Sequence, residues 1–132
     1  MTVRGIRGAT TVESNTREEI LAKTGELLEI LMQKNHIRIE DIVSALFSVT
    51  DDVNAEFPAV AARKIGWLYT PLMCTREMPV PGSLTGCIRV LLHVNTETAQ
   101  QDMIHVYLYG AKKLRPDLDS EAKDRYYISE KK

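Results

Sequence analysis

A chain of 132 residues is long enough for one domain with one hydrophobic core. With 44% hydrophobic and 27% charged residues and a formal net charge of -1, it lacks the basic excess of a nucleic-acid or membrane-surface binder. No apolar run reaches bilayer length and the N-terminus carries no signal-peptide pattern, so the expectation is a cytoplasmic protein with neither nucleic acid nor membrane as partner.

In chain order, Val3-Arg4-Gly5-Ile6-Arg7-Gly8-Ala9-Thr10 reads as a first strand. Side chains alternate between the faces of a strand, so Val3, Gly5, Arg7 and Ala9 share one face. Glycine inside a strand marks close approach of a ligand or another backbone. Thr16-Arg17-Glu18-Glu19 has the capping-box form, with Thr16 as N-cap and Glu19 reaching back. The helix it opens runs to about Asn35 and buries Ile20, Thr24, Leu27, Leu28 and Leu31. Residues 40–50 read as a second strand, with Val43, Ala45, Phe47 and Val49 on one face and Ser44, Leu46, Ser48 and Thr50 on the other. Residues 57–66 read as a short helix, with Pro58 in its first turn and Gly66 at its C-terminal cap. Residues 67–77 form an extended stretch broken by Pro71. The loop Met78-Pro79-Val80-Pro81-Gly82 follows and leaves Glu77 at a strand end, where functional groups collect.

The most sharply patterned stretch is Cys87-Ile88-Arg89-Val90-Leu91-Leu92-His93-Val94. Ile88, Val90, Leu92 and Val94 make a wholly apolar core face, while Cys87, Arg89, Leu91 and His93 share the other. A mid-strand guanidinium is costly to desolvate unless an anion meets it, and it is well shaped to grip a carboxylate. Residues 95–102 are a polar connection, and residues 103–109 are a last strand with Ile104, Val106 and Leu108 inward and His105, Tyr107 and Tyr109 outward. Cys74 and Cys87 have no CxxC spacing and His36, His93 and His105 are scattered, which gives no metal pattern and points to reduced thiols.

The element order predicts an α+β domain: a mixed sheet of five strands with helices on one face, in residues 1–118, followed by a mobile tail over residues 119–132. The second sheet face is too mixed for a dry core and too apolar for bare solvent, which predicts a homo-oligomer with clefts between subunits. On that face Arg7, Arg89 and Tyr107 suit a small dianion, and Glu77 suits a ligand hydroxyl. The pattern leaves a salt-bridge network, Arg89 with Glu77 for example, as an open alternative.

Several stretches together resemble the AroH-class chorismate mutases: Arg4-Gly5-Ile6-Arg7-Gly8-Ala9-Thr10-Thr11-Val12, Phe57-Pro58-Ala59, Cys74 with Glu77-Met78, Cys87-Ile88-Arg89-Val90, His105-Val106-Tyr107-Leu108 and Leu114-Arg115-Pro116-Asp117-Leu118. The similarity spans residues 3–118 in the family's order and spacing. It implies a homotrimer with active sites between subunits, and conversion of chorismate to prephenate on the route to phenylalanine and tyrosine, with no metal or organic cofactor. By position, Arg89 is expected at the ether oxygen and a carboxylate, and Arg7 and Tyr107 at carboxylate oxygens. Glu77 is expected at the ring hydroxyl with Cys74 nearby, and Met73, Cys74, Thr75, Arg76 and Glu77 line the pocket. Phe57, Ala59 and Leu114 are expected on the carbocycle, and Arg63 and Arg115 at the mouth. Val60 departs from the pattern, since family members often carry lysine there. A Rid-type trimeric deaminase, a binding module for an aromatic-pathway acid, and a hydrolase using Cys74 and His105 are the competing readings.

Overall fold

The computed structural model describes residues 1–114 and the backbone of residues 126–129. The regular elements are β1 (Thr2–Thr11), α1 (Arg17–Asn35), β2 (Ile42–Val49), α2 (Ala59–Lys64), β3 (Leu72–Arg76), β4 (Cys87–Thr96), β5 (His105–Leu108) and β6 (Tyr126–Ser129). They form one sheet in the order β3-β2-β4-β1-β5-β6. β4 runs antiparallel to both β1 and β2, whereas β2–β3, β1–β5 and β5–β6 are parallel, so the sheet is mixed.

The alternation in β4 sets the layers. Val90, Leu92 and Val94 join Ile6, Phe47 and Val106 in one cluster, onto which Leu27, Leu28 and Leu31 of α1 and Ala62 of α2 pack. Both helices therefore cover the same sheet face, as the sequence predicts. Each fully buried Leu, Ile or Val removes enough apolar surface from water to contribute about 1.5–3 kcal/mol. Gly8 lets α1 approach β1: a Cβ built there stands 2.8 Å from Leu31 Cδ1 and 3.1 Å from Leu27 Cδ1.

Thr16 caps α1 as expected, accepting from the Glu19 N–H at 3.2 Å. Glu19 does not reach back to Thr16; its carboxylate accepts from the Glu13 N–H at 3.2 Å, because the Thr16 N–H already donates to the Ser14 carbonyl. The end of α1 is stapled to the sheet by Asn35, whose side chain donates to the Ile104 carbonyl and accepts from the Ile104 N–H, fixing the entry to β5.

Four features differ from the sequence reading. In β2 a register shift between Ile42 and Ser44 puts Ile42 on the core, 6% exposed, and turns Val43 out at 41%. β3 forms only after Pro71, and Trp67 folds into the core instead of extending the strand. Tyr109 leaves the β5 alternation at a positive φ of 53°, and its hydroxyl donates to Glu26 of α1. A sixth strand, β6, pairs with β5 within the stretch expected to be a mobile tail. Its Tyr-Tyr-Ile triplet is flanked by charged residues, and it is the edge of β5 that defines it as a strand. The remainder of that expected tail, and Arg115, lie outside the described residues.

The start of β4 is held by a small polar clamp. Thr50 donates to Asp52 at 2.7 Å and accepts from the Cys87 N–H at 3.0 Å. Asp52 accepts from the Gly86 N–H at 2.9 Å, and Gly86 sits at φ +61° with its carbonyl bonded to the Val12 N–H. The Thr50 hydroxyl holds the Asp52 carboxyl below its ordinary value; burial opposes it, and the Gly86 N–H adds a smaller lowering effect. A depressed carboxyl contributes stability that is present above its unfolded value, about 3.9, and lost as pH falls through its folded value. Asp52→Ala should therefore lower stability by about 1–2 kcal/mol at neutral pH, with the gap to wild type narrowing below about pH 4 in denaturant titrations. Gly8→Val should overpack the α1–β1 contact and lower stability by about 1–3 kcal/mol, read by thermal unfolding.

Candidate active site

Strand register builds the site. Thr75 of β3 opposes Ser48 of β2, Ser48 opposes Arg89 of β4, Arg89 opposes Ala9 of β1, and Ala9 opposes Tyr107 of β5. Residues opposed across strands point to the same face, so this row crosses the sheet on the side away from the helices. The adjoining row contains Met73, Leu46, Leu91 and Arg7. Arg7, Arg89 and Tyr107 thus share one face, as their spacing predicts.

Arg89 is the centre of the row, with its side chain 26% exposed. Glu77 stands just past β3, where its N–H donates to the Val49 carbonyl at 2.8 Å and continues the β2–β3 ladder by one residue. Its carboxylate oxygen Oε2 lies 3.4 Å from Arg89 Nε and accepts a hydrogen bond from the Ser48 hydroxyl. The ion pair is not a hydrogen bond: Arg89 Nε is buried without a hydrogen-bond partner. The open question posed by the sequence has a divided answer. Glu77 is the acid beside Arg89, within the same chain, yet it does not close onto the guanidinium.

Cys87 begins the same strand and is fully buried. Burial pushes its thiol up to about 11, outweighing the Arg89 cation, so it is a neutral neighbour. Arg7 donates its backbone N–H to His105 Nδ1 at 3.0 Å, and its guanidinium makes no ion pair among the described residues. Tyr107 is 3% exposed and packs with Ala9, Cys87 and Ala111, with Leu84 and Leu114 against them. Arg89, Glu77, Arg7, Tyr107 and Leu114 therefore gather on the side of the sheet away from the helices.

The other expected residues gather elsewhere. Phe57, Cys74, Thr75 and Arg76 line a cleft of about 550 Å³ that Arg7, Arg89 and Tyr107 do not reach. Leu72 and Cys74 face the helices, where they pack with Ala59 of α2 against the core. Met73 and Thr75 face the other way, so Cys74 and Glu77 lie on opposite sides of the sheet. Phe57 is 67% and Met73 60% exposed. Arg63 is exposed on α2, and Val60 stands on the same helix, half-buried. Arg76 pairs with Asp51 at 3.0 Å, an exposed contact that contributes little.

A Cys74–His105 dyad is excluded by topology: β3 and β5 are separated by β2, β4 and β1, about 19 Å at the usual strand spacing. The Cys74 thiol is also raised by burial, partly offset by the Ala59 N–H, which is the wrong direction for a nucleophile. The histidines are separately placed: His36 ends α1, His93 meets Ser44 at 3.1 Å, and His105 accepts from Arg7. Among the described residues no group of three His, Cys, Asp or Glu side chains converges, and no helix is long and apolar enough to cross a membrane.

Sequence reasoning passed over Ser48, Thr50 and Asp52. Ser48 was readable as a polar residue on the Arg89-type face, but its bond to Glu77 depends on a loop closure that spacing does not reveal. Asp52 carries no local signal in the sequence, because its partner Gly86 is far along the chain.

The chain is similar in sequence and fold to known proteins. The family model for chorismate mutase type I matches residues 3–118. The chorismate mutase AroH of Bacillus subtilis (strain 168) is 52% identical over 119 residues, covering 89% of this chain and 94% of that protein. The chorismate mutase AroH of Thermus thermophilus is 51% identical over 119 residues, covering 89% and 98%. A solved structure of a chorismate mutase from Clostridium thermocellum is 54% identical and superposes with a TM-score of 0.82 over 83% of this chain and 97% of that one. With a sheet, a cationic row and a sequence match that run together over nearly the whole described chain, the protein belongs to the type I chorismate mutase family.

Proposed function

We propose that this chain rearranges chorismate to prephenate, the intramolecular step that leads toward phenylalanine and tyrosine, and that it does so as a homotrimer. The observation that carries the reading is Arg89, a half-buried cation on an open sheet face whose neighbouring acid stops short of a hydrogen bond.

The reaction breaks one carbon–oxygen bond as one carbon–carbon bond forms within a single molecule. It needs neither nucleophile nor proton transfer, so two contributions remain. One is to hold the enolpyruvyl arm folded over the ring in a reactive shape. The other is charge: the ether oxygen becomes more negative as its bond lengthens, and a fixed cation there favours the transition state over the substrate. Arg89 takes that role and also holds a carboxylate. Arg7 and Tyr107 bind carboxylate oxygens from the adjoining strands. Glu77 accepts from the ring hydroxyl through its second oxygen. Leu114 packs on the carbocycle.

Phe57, Ala59, Arg63, Met73, Cys74, Thr75 and Arg76 supply the opposite wall, from a neighbouring subunit. Two facts support this division. Phe57 and Cys74 line a cleft that Arg89 does not reach within one protomer, and Leu46, Met73 and Phe57 are too exposed for an isolated chain to leave in water together. Val60 leaves that wall without a cation at its position, and Arg63 remains as the expected cation of α2.

Arg89→Ala should lower kcat by at least about 100- to 1000-fold, the usual loss for one preorganised donor, while light scattering still reports a trimer. Arg89→Lys should recover little of this, because an ammonium cannot reproduce the planar fork. Loss of chorismate absorbance in the absence of added cofactor measures both, and near-normal turnover by Arg89→Ala removes the assignment. Glu77→Ala should also be severe in the same assay, and a mild effect would return Glu77 to a structural ion pair.

A further inference from the structure

We propose that Ser48 is a positioning residue for this site: its hydroxyl holds Glu77 beside Arg89 and stops the carboxylate from forking onto the guanidinium. The inference rests on the mutase reading above and concerns how the cation is kept available.

A carboxylate this close to a guanidinium ordinarily closes to a paired contact at about 2.7–2.9 Å. Here Glu77 Oε2 halts at 3.4 Å from Arg89 Nε, and that nitrogen stays buried without a hydrogen bond. Leaving a buried donor unmade is unfavourable, so something must hold the acid off. The oxygen nearest Arg89 is the one that accepts from Ser48. Ser48 stands directly opposite Arg89 in the β2–β4 register, so its hydroxyl reaches the carboxylate from the sheet itself. The root of the Glu77 side chain is fixed independently by its N–H bond to Val49.

The described neighbours along this row hold no second hydrogen bond to Glu77. Cys87 is neutral, Ala9 is apolar, and Thr75 gives its hydroxyl to the Phe47 carbonyl at 3.3 Å. With Oε2 tethered, Oε1 is turned to the substrate hydroxyl and the terminal nitrogens of Arg89 remain for the ether oxygen and a carboxylate. Without the tether, Glu77 swings onto Nε, satisfies it, and spends the cation on a closed internal pair. The unusual consequence is that removing a hydrogen bond should harm turnover and spare the fold.

The test uses the 132-residue chain in five forms: wild type, Ser48→Ala, Ser48→Thr, Glu77→Ala, and Ser48→Ala combined with Glu77→Ala. Chorismate turnover and thermal unfolding are measured for each. Ser48→Ala is expected to lower kcat/KM about 10- to 100-fold, the scale of a misplaced catalytic group, with a melting temperature equal to or above wild type. Ser48→Thr, which keeps the hydroxyl and suits a strand, is expected to stay within about threefold of wild type. In the Glu77→Ala background Ser48→Ala is expected to change turnover by less than about twofold, since its effect travels through Glu77. A Ser48→Ala enzyme as active as wild type overturns the proposal, as does a loss that adds fully to that of Glu77→Ala or merely follows a fall in melting temperature. Wild-type protein inert toward chorismate overturns the mutase reading itself and takes the proposal with it, a failure readily told apart from the others.

Discussion

The structure depends on keeping one positive charge half-buried and unspent. A guanidinium in the middle of a strand invites two outcomes: a neighbouring acid neutralises it, or it is expelled to water. Arg89 lies between the two, paired with Glu77 as an ion pair but not hydrogen-bonded to it through Nε. It is rooted in β4 between apolar residues that anchor the strand to the core, its Nε is desolvated, and the acid beside it stands at ion-pair distance without a hydrogen bond. A cation already stripped of part of its water and fixed by a sheet needs no rearrangement when charge develops on a substrate atom, which is where preorganised electrostatics gain over water.

Each larger feature of the fold serves that placement. The helices lie on one side, so the other side of the sheet is free to carry Arg7, Arg89 and Tyr107 in adjacent rows. The Thr50–Asp52–Gly86 clamp sets where β4 begins, two residues before Arg89. Asn35 ties the end of α1 to the entry of β5 and so sets Tyr107. Met73, by contrast, stands exposed on the edge strand β3, and Phe57 is exposed on the cleft beside Cys74. The proposed trimer joins the two walls of the site and covers the apolar part of the open face together.

Much of this was legible in the sequence because it rests on short-range periodicity. The alternation in β4 announced both the core face and the anomaly of Arg89, and the buried stripe of α1 was read correctly residue by residue. The α+β layering and the shared face of Arg7, Arg89 and Tyr107 followed from the same rule. What escaped depends on contacts between distant segments. The shift that exchanges Val43 for Ile42 comes from matching β2 to β4, and β6 exists through the edge of β5. The Glu77–Ser48 bond and the Asp52–Gly86 clamp link residues about thirty positions apart. The outward cleft around Phe57 and Cys74 was placed by family resemblance and not by pattern, since only the fold shows that Cys74 faces the helices.

The most direct measurement is a crystal structure with a bicyclic dicarboxylate transition-state analogue bound. The account predicts Arg89 within about 2.7–3.2 Å of the analogue's ether oxygen, Glu77 on its hydroxyl, and Phe57 of an adjacent subunit against its ring. An Arg89 closed in a two-pronged pair with Glu77, and the analogue bound elsewhere or within a single subunit, would contradict it.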